Sequence, residues 1–334
     1  MIGIALFGAG TIGRIHARNV AADPGCALRW VVDRDLGRAE ALAAQHGGRA
    51  TDDVARALVD DGVGAVIIGS STSAHREHLM ACIAAGRPTL CEKPVSDDLD
   101  DARRCIEAAN KAGVRVAVGF NRRYDAHHRA VHLRIREGAI GKVEMLHLVS
   151  RTNPPAPAPA SVQASGGMLR EKGAHHYDLA AWMAGAEPVE VFAAGDCLVD
   201  PGYSAYGDVD TAVLTLRFDS GALASFSFSR RAAHGFEEMI EVFGSEGMLE
   251  SRRQPALGVA LWTKGSMNEV GLHGSWYERF SPTYEEELRQ FLRLAAGESV
   301  EIATLSDGVR AQAVAEAAIV ALRQRGMQRI AKIW

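Results

Sequence analysis

The amino-acid sequence predicts an α/β protein of two domains: an N-terminal doubly wound parallel sheet, then an α+β domain with an open, mostly antiparallel sheet. The 334 residues exceed what one hydrophobic core usually holds. Up to about residue 120, short apolar runs alternate with amphipathic or alanine-rich segments, and beyond it longer runs alternate apolar with polar side chains. We therefore expect domains at residues 1–120 and 121–334, with the last helix able to pack back on the first domain.

The first domain is predicted from short apolar runs joined by helical segments. Continuous apolar strands connected by helices indicate a parallel sheet that helices cover on both faces. Gly47, Gly86 and Gly113 stand where three of the helices would end, because glycine readily adopts the left-handed conformation found there. The predicted strands are 2–7, 28–32, 65–68, 88–91 and 115–118, and the predicted helices are 12–21, 36–46, 75–85 and 99–112.

The second domain is predicted from longer strands that bury one face. Phe226 and Phe228 alternate with serines, and residues 219–221 (Asp-Ser-Gly) separate two such runs as a hairpin loop would. An open sheet needs a cover, and partner subunits commonly supply it. We therefore predict a homo-oligomer, a dimer or tetramer; a cover made only of the monomer's own helices is the alternative. The predicted strands are 143–151, 189–198, 210–218, 222–229 and 237–244, and the predicted helices are 126–137 and 307–323.

Composition and charge exclude several classes of protein. The 37 Lys and Arg residues against 41 Asp and Glu give a net charge of −4, so we expect no nucleic-acid partner and no anionic membrane partner. No apolar run approaches the roughly 20 residues that span a bilayer. The five cysteines show neither a C-x-x-C pair nor metal-ligand spacing, and the N-terminus runs directly into a glycine cluster. We therefore expect a cytoplasmic protein.

A glycine-rich motif follows the first predicted strand and opens the first helix. Gly8 permits a tight turn, Gly10 lets the backbone approach a pyrophosphate, and Gly13 allows the helix to pack closely on the strand. The pyrophosphate would meet free N–H groups and the positive end of the helix dipole. A glycine-rich turn without a ligand is the alternative. The full motif, Gly8-Ala9-Gly10-Thr11-Ile12-Gly13, predicts a dinucleotide site.

Asp33 stands at the end of the second strand, 20 residues after Gly13. Its carboxylate would accept hydrogen bonds from the adenosine ribose hydroxyls, and a 2′-phosphate there would bring like charges together. We therefore predict NAD as the cofactor, while the adjacent Arg34 keeps NADP possible. FAD shares the motif, but the small first domain favours a nicotinamide.

Polar residues follow the other strands of the first domain, where ligands of such sheets bind. Lys93 is held between Glu92 and Pro94, and a fixed ammonium there would stabilise the alkoxide that develops when an alcohol loses its proton. The alternative is a surface lysine in a turn. Arg122 and Arg123 would clamp an anionic or polyhydroxy substrate, or only solvate a loop. The further cofactor candidates are Ser70, Thr72, His75, Glu92, Lys93 and Asn121.

A second candidate site lies in a segment predicted to be helical, where Glu171, His175 and Asp178 share one face. Histidine takes up protons near neutral pH, and a neighbouring carboxylate can orient it. His175 is thus the candidate general base, with Glu171 or Asp178 as its orienting group. A structural histidine is the first alternative. A metal site is the second, but H-E-x-x-H is absent, and we predict no metal.

With these residues in hand, the chain resembles the Gfo/Idh/MocA family over nearly its whole length. The motifs Glu92-Lys93-Pro94 and Asn121-Arg122-Arg123-Tyr124-Asp125 are together specific to that family. The resemblance implies a Rossmann domain followed by an α/β domain whose large open sheet mediates dimers and tetramers. The other matching segments are 8–13, 118–120, 140–143, 165–167, 175–178 and 229–232.

The resemblance also implies site residues. The family's active-site lysine, aspartate and histidine fall on Lys93, Glu171 and His175. Two positions depart from the pattern: a glutamate, Glu171, stands for the usual aspartate, and His176 stands for the aspartate that usually follows the histidine. These changes lie in the implied substrate pocket and bear on substrate identity. The implied substrate contacts are Arg122, Asn153, His176 and Tyr284, of which Tyr284 would close over the nicotinamide.

The function implied is NAD-dependent oxidation of a secondary hydroxyl of a cyclic polyol or sugar, such as an inositol, to a ketone. One alternative is a dehydrogenase for an anhydrosugar, an L-sugar or a sugar acid. An alternative of another class is a regulatory protein that binds a nicotinamide cofactor without turnover.

Overall fold

A computed structural model describes residues 1–153, 155–159, 162 and 166–334. The chain forms two compact units. Unit 1 contains residues 1–121, 283–310 and 333–334, and unit 2 contains residues 122–282 and 311–332. The predicted domain boundary lies after residue 120. In the structure the chain passes from one unit to the other after residues 121, 282, 310 and 332.

Unit 1 is built on a parallel sheet with the strand order β3-β2-β1-β4-β5-β6, which confirms the predicted doubly wound domain. The order reverses between β1 and β4, and ligands of such sheets bind at this switch point. Residues 65–68 of β4 are completely buried, as expected for a strand covered on both faces. The strands are β1 Ile2–Phe7, β2 Cys26–Val32, β3 Arg49–Thr51, β4 Ala65–Ile68, β5 Thr89–Cys91 and β6 Val116–Val118.

The helices of unit 1 begin and end where the sequence signals indicate. Asp98 caps the fifth helix by accepting a hydrogen bond from the Asp101 N–H, and Gly113 ends that helix with φ 66°. Gly47 and Gly86 also have positive φ at helix ends. The short elements β3 and α3 were not predicted. The helices are α1 Thr11–Ala22, α2 Leu36–His46, α3 Val54–Leu58, α4 Thr72–Ala84 and α5 Leu99–Ala112.

Unit 2 contains a mixed sheet with the order β12-β11-β7-β10-β9-β8-β15. Among the residues described, β7 and β10 pair in parallel and the remaining neighbours are antiparallel, which confirms the mostly antiparallel prediction. The strands are β7 Val143–Arg151, β8 Pro188–Asp196, β9 Thr211–Phe218, β10 Leu223–Ser229, β11 Glu237–Gly244, β12 Gly247–Ser251 and β15 Gln328–Arg329; β13 Ala260–Thr263 and β14 Ser266–Glu269 form a separate hairpin.

One face of the unit 2 sheet is buried and the other is exposed. Phe226 and Phe228 point to the buried face, where the ring of Tyr177 meets Phe226 edge-on at 5.5 Å. On the opposite face Leu223 pairs with Met145, and Met145 pairs with Phe243; these three side chains are 42%, 52% and 46% exposed. The sheet therefore carries an uncovered apolar row across three strands.

The helices of unit 2 include the predicted catalytic segment. A 3-10 turn, Asn121–Tyr124, leads into α6 Ala126–Arg136, and α7 Met168–Glu171 runs almost directly into α8 Gly173–Ala184. The last two helices, α9 Trp276–Ala295 and α10 Leu305–Gln324, contribute residues to both units. Helix α9 was not predicted; Pro282 lies inside it, and proline normally interrupts a helix. Across the described ranges, no helix has both the length and the hydropathy that crossing a bilayer requires.

Candidate active site

The glycine turn of unit 1 has the geometry that a dinucleotide requires. Gly8 has φ 103°, and a Cβ there would lie 2.5 Å from the Ser70 nitrogen. A Cβ on Gly13 would lie 2.0 Å from the Gly8 carbonyl oxygen, so strand and helix touch at this point. A Cβ on Gly10 would meet no atom within 4 Å. The space above Gly10, at the start of α1, is thus open for a pyrophosphate beside the N–H groups of Thr11 and its neighbours.

Asp33 is fixed beside this turn. Its Oδ2 accepts a hydrogen bond of 2.7 Å from the Ala9 N–H, and its Oδ1 accepts one of 3.0 Å from the Asp35 N–H. These two bonds hold the carboxylate at the end of β2 while leaving each oxygen a further lone pair for ribose hydroxyls. Arg34 is exposed beside it.

The loop after β4 is braced by a histidine. His75 is 1% exposed, its Nδ1 lies 2.7 Å from the Pro94 carbonyl and its Nε2 lies 3.1 Å from the Ser70 carbonyl. His75 therefore links the loop of Ser70 to the loop of Lys93. Ser70 itself hydrogen-bonds His78 at 3.1 Å, and Thr72 is the first residue of α4.

A buried cluster lies behind Lys93. Glu92 accepts a 2.9 Å hydrogen bond from His16 of α1, and Glu287 of α9 brings a second, fully buried carboxylate to the same place. The side-chain ligand atoms of these three residues lie within 4.8 Å of one another, which is close enough to hold a metal ion. The hydrogen bond between His16 and Glu92 already uses one ligand atom of each residue.

The remaining unit 1 candidates surround this cluster. Lys93 lies two residues after the end of β5 and is half-buried. Asn121 is buried and donates a 2.9 Å hydrogen bond to Thr283. Tyr284 is 6% exposed and meets the ring of His16 edge-on at 5.8 Å. Residues from β5, β6 and α9 are thus held together near the carboxyl ends of the parallel strands.

In unit 2, Glu171 and His175 lie on consecutive turns of the α7–α8 segment, and both are partly exposed. Asp178 is buried and receives two hydrogen bonds from the Arg123 guanidinium, one of them 2.7 Å from Nε. Because Asp178 is committed to Arg123, Glu171 is the carboxylate left for orienting His175. Arg123, which was predicted together with Arg122 to clamp the substrate or solvate a loop, instead forms this internal ion pair.

Arg122 and His176 meet a buried glutamate. Glu238 of β11 lies 3.5 Å from Arg122 and 3.4 Å from the Nε2 of His176. Burial alone would raise the pKa of Glu238, but His176 and Arg122 outweigh it and hold that pKa well below its usual range. His176 is 2% exposed, and its Nδ1 faces the Lys172 carbonyl at 3.0 Å. Asn153 hydrogen-bonds the Gly274 carbonyl.

Two basic residues of this region were missed by the sequence analysis. Lys172 is 9% exposed, although it lies between Glu171 and Gly173 in a segment that looked amphipathic. Arg230 follows β10 and is 3% exposed, with its Nη2 3.6 Å from Glu171. The available signal for Lys172 was a lysine at a position whose helical neighbours Met168 and Leu169 are apolar. The available signal for Arg230 was its place in the matching segment 229–232, to which no role was assigned. Ser165, which contributed to the family resemblance, lies outside the described residues.

Comparisons with known proteins agree with this architecture. A family profile described as "Oxidoreductase family, NAD-binding Rossmann fold" matches residues 2–120, and one described as "GFO/IDH/MocA C-terminal domain" matches residues 128–250. Together the two profiles cover most of the chain: the first contains every strand of the unit 1 sheet, and the second contains β7 to β11 of the unit 2 sheet.

Individual relatives are similar over most of their length. The chain is 38% identical over 297 residues to a myo-inositol 2-dehydrogenase of Thermotoga maritima, covering 87% of each protein, and 34% identical over 322 residues to an inositol 2-dehydrogenase of Rhizobium meliloti, covering 96% of each. Among solved structures, a myo-inositol dehydrogenase of Corynebacterium glutamicum superposes with a TM-score of 0.92 at 30% identity, covering 99% of both chains.

Proposed function

The chain belongs to the Gfo/Idh/MocA family of NAD-binding oxidoreductases, and we propose that it oxidises a secondary hydroxyl of a cyclic polyol or sugar to a ketone. The observation that carries the cofactor half of this proposal is the open turn above Gly10, with the Asp33 carboxylate fixed beside it. The substrate half is supported by the inositol dehydrogenases among its relatives.

The residues of unit 1 would hold the cofactor. We assign the pyrophosphate to the turn and the ribose hydroxyls to Asp33. NAD is favoured, while the exposed Arg34 is placed to meet a 2′-phosphate. When bound, NAD accepts the hydride that leaves the substrate carbon. The residues assigned to the cofactor are Gly8, Gly10, Thr11, Ile12, Gly13, Asp33, Arg34, Ser70, Thr72, His75, Glu92, Lys93 and Asn121, with His75 acting through the loops that it braces.

We assign proton removal to His175 in unit 2, and we assign to Lys93 the stabilisation of the negative charge that develops on the substrate oxygen. His175 takes the hydroxyl proton and passes it to solvent, and Glu171 orients the imidazole and supports its cation. The Lys93 ammonium stabilises the oxygen as negative charge develops on it. The C–H bond breaks as the C=O bond forms, so the alcohol loses one hydride and one proton. We assign the other substrate contacts to Arg122, Asn153, His176 and Tyr284.

The test uses the full chain with NAD and a panel of inositols and aldoses, followed by the absorbance of the reduced cofactor. We expect oxidation of at least one polyol. His175→Ala and Lys93→Ala should each lower kcat at least about 100-fold while the protein still binds NAD, because both residues act on the reacting oxygen. Binding of NAD with no oxidation of any polyol would instead indicate a regulatory protein.

We also propose that the protein is a homo-oligomer of the cytoplasm. The uncovered apolar row of the unit 2 sheet is the kind of surface that partner subunits cover. The hairpin β13–β14 adds Trp262, which is 73% exposed. The five cysteines are free thiols, as a reducing compartment would keep them.

A further inference from the structure

Lys172 is a buried cation with no carboxylate in contact. Its Nζ donates hydrogen bonds to the Thr152 hydroxyl at 2.6 Å and to the Ser229 carbonyl at 3.3 Å, and both acceptors are neutral. Among the described residues, no carboxylate oxygen lies within 4.0 Å of this nitrogen. An ammonium has three donors, so one remains available.

Arg230 brings a second buried cation to the same end of β10. Its Nε and Nη2 donate no hydrogen bond within the part of the chain that the structure describes, although the residue is only 3% exposed. Buried donors without acceptors destabilise a fold, because their lost hydration is not replaced. The nearest carboxylate oxygen belongs to Glu171, at 3.6 Å, and that side chain is 42% exposed. Glu171 therefore lies where the cluster of Lys172 and Arg230 reaches solvent.

The charges around these two residues do not balance. Glu238 is shared between Arg122 and His176, and Glu171 faces Arg230, so Lys172 is left as the excess cation. Burial is the main cause that lowers the pKa of Lys172 to about 7; Glu238 and Glu171 oppose the shift, and Arg230 and Arg122 add to it. A buried ammonium with neutral partners and a nearby guanidinium with unused donors form a site suited to an anionic oxygen group.

We propose that Lys172 and Arg230 form a subsite for an anionic oxygen group, a carboxylate or a phosphate, carried by the polyol that the protein oxidises. The proposal rests on the proposed function, because Glu171 beside Arg230 is the residue assigned to orient the general base. The anionic group would accept the third Lys172 donor and the free N–H groups of Arg230. The preferred substrate is then a sugar acid or a phosphorylated polyol rather than a neutral one.

The first experiment compares matched substrates with the full chain and NAD. The pairs are glucose with glucuronate, galactose with galacturonate, and myo-inositol with its monophosphate. We expect the anionic member of at least one pair to have a kcat/KM about tenfold or more above its neutral partner, since a charge-assisted contact of this kind is worth at least that factor. A carboxylate-only or a phosphate-only preference identifies the group.

The second experiment uses Lys172→Met, with Lys264→Met as control, because Lys264 is exposed on the β13–β14 hairpin. Lys172→Met should lower kcat/KM for the anionic substrate about tenfold and change that for the neutral partner less than about twofold. Arg230→Gln should act in the same direction. Calorimetric titration of the anionic substrate without cofactor, on the wild type and both variants, gives a readout that needs no turnover, and thermal melting establishes that each variant folds.

Two outcomes would overturn the anionic subsite, and both can be told apart from a failure of the proposed polyol oxidation. Equal use of the neutral and anionic partners overturns it, and so does a Lys172→Met variant that loses both substrates alike. In both cases polyol oxidation itself survives. If NAD binds and no member of any pair is oxidised, the proposed function fails and the subsite falls with it.

Discussion

At the scale of single residues, Gly10 and Gly13 lie three positions apart in one turn and have opposite surroundings. Gly10 has φ −76°, which any residue adopts, and a Cβ there would meet nothing. A Cβ on Gly13 would overlap the Gly8 carbonyl. Gly10 therefore leaves space for the assigned ligand, whereas Gly13 allows α1 to pack closely against the residue that follows β1.

We predict that Gly10→Ala and Gly13→Ala separate these two roles. Gly10→Ala should leave the melting temperature unchanged and weaken NAD binding about tenfold or more, because a methyl group would occupy the space of the pyrophosphate. Gly13→Ala should lower the free energy of unfolding by about 1–3 kcal/mol through overpacking. Fluorescence titration with NAD and thermal unfolding measure the two effects. Unchanged NAD affinity in Gly10→Ala would contradict the assigned cofactor site.

Lys172 yields a pH-dependent prediction. The pKa of Lys172 is about 7 in the folded chain against the ordinary lysine value of 10.5, so between these values the unfolded chain holds a proton that the folded chain has released. The contribution of Lys172 to the free energy of unfolding therefore rises with pH from about 7 to 10.5 and is lowest below pH 7. Lys172→Met should stabilise the fold by about 1–4 kcal/mol at pH 7 and below, because replacing a buried charge with an apolar side chain of similar size often does so.

The measurement is denaturant unfolding of the wild type and Lys172→Met at a series of pH values. The stabilisation should shrink as the pH rises from 7 toward 10. A difference that stays constant over this range would show that Lys172 is not an uncompensated buried cation. Lys264→Met, at an exposed position, should show no difference at any pH.

At the scale of secondary-structure elements, one ion pair fixes the helix to which we assign the general base. The Arg123–Asp178 pair ties the 3-10 turn Asn121–Tyr124 to α8, and the Asp178 side chain is completely buried. The turn is further held by Asp125, which caps α6 through the N–H groups of His127 and His128 and pairs with Arg279. The helix that carries His175 is thus anchored from its buried side.

We predict that Asp178→Asn destabilises unit 2 strongly. Removing one partner of a buried pair leaves the Arg123 guanidinium without its counter-charge, which costs about 3–5 kcal/mol. Denaturant unfolding measures the loss, and Asp61→Asn, at an exposed position, is the control with no expected change. A loss below about 1 kcal/mol would mean that another group balances Arg123.

The sequence was informative for elements whose signals are local. Helix α5 was predicted with the right ends because Asp98 and Gly113 mark them, and the helical phase correctly placed Glu171 and His175 on consecutive turns. The helical periodicity could not show that Asp178 forms an ion pair with Arg123, since the two residues are 55 positions apart in the sequence. For the same reason the convergence of His16, Glu92 and Glu287 was not predicted: three separate elements supply them.

At the scale of the whole molecule, the open sheet of unit 2 keeps an apolar row exposed on one face. Alternation of buried and exposed residues along β9 and β10 was readable from the sequence. The register was not, and it is the register that aligns Met145, Leu223 and Phe243 into one row. Such a row of apolar side chains is the surface on which we expect partner subunits to pack.

We predict that Leu223→Glu breaks the oligomer. A charge in the row would lie in an apolar interface without a partner, so association should weaken by several kcal/mol and smaller species should appear. Size-exclusion chromatography with light scattering measures the mass of the wild type and the variant across protein concentrations. Leu133→Glu is the control: Leu133 is 47% exposed on α6 and does not belong to the row, so its replacement should leave the mass unchanged. A wild type that is monomeric at all concentrations, or a Leu223→Glu variant of unchanged mass, would show that this face is not the subunit interface.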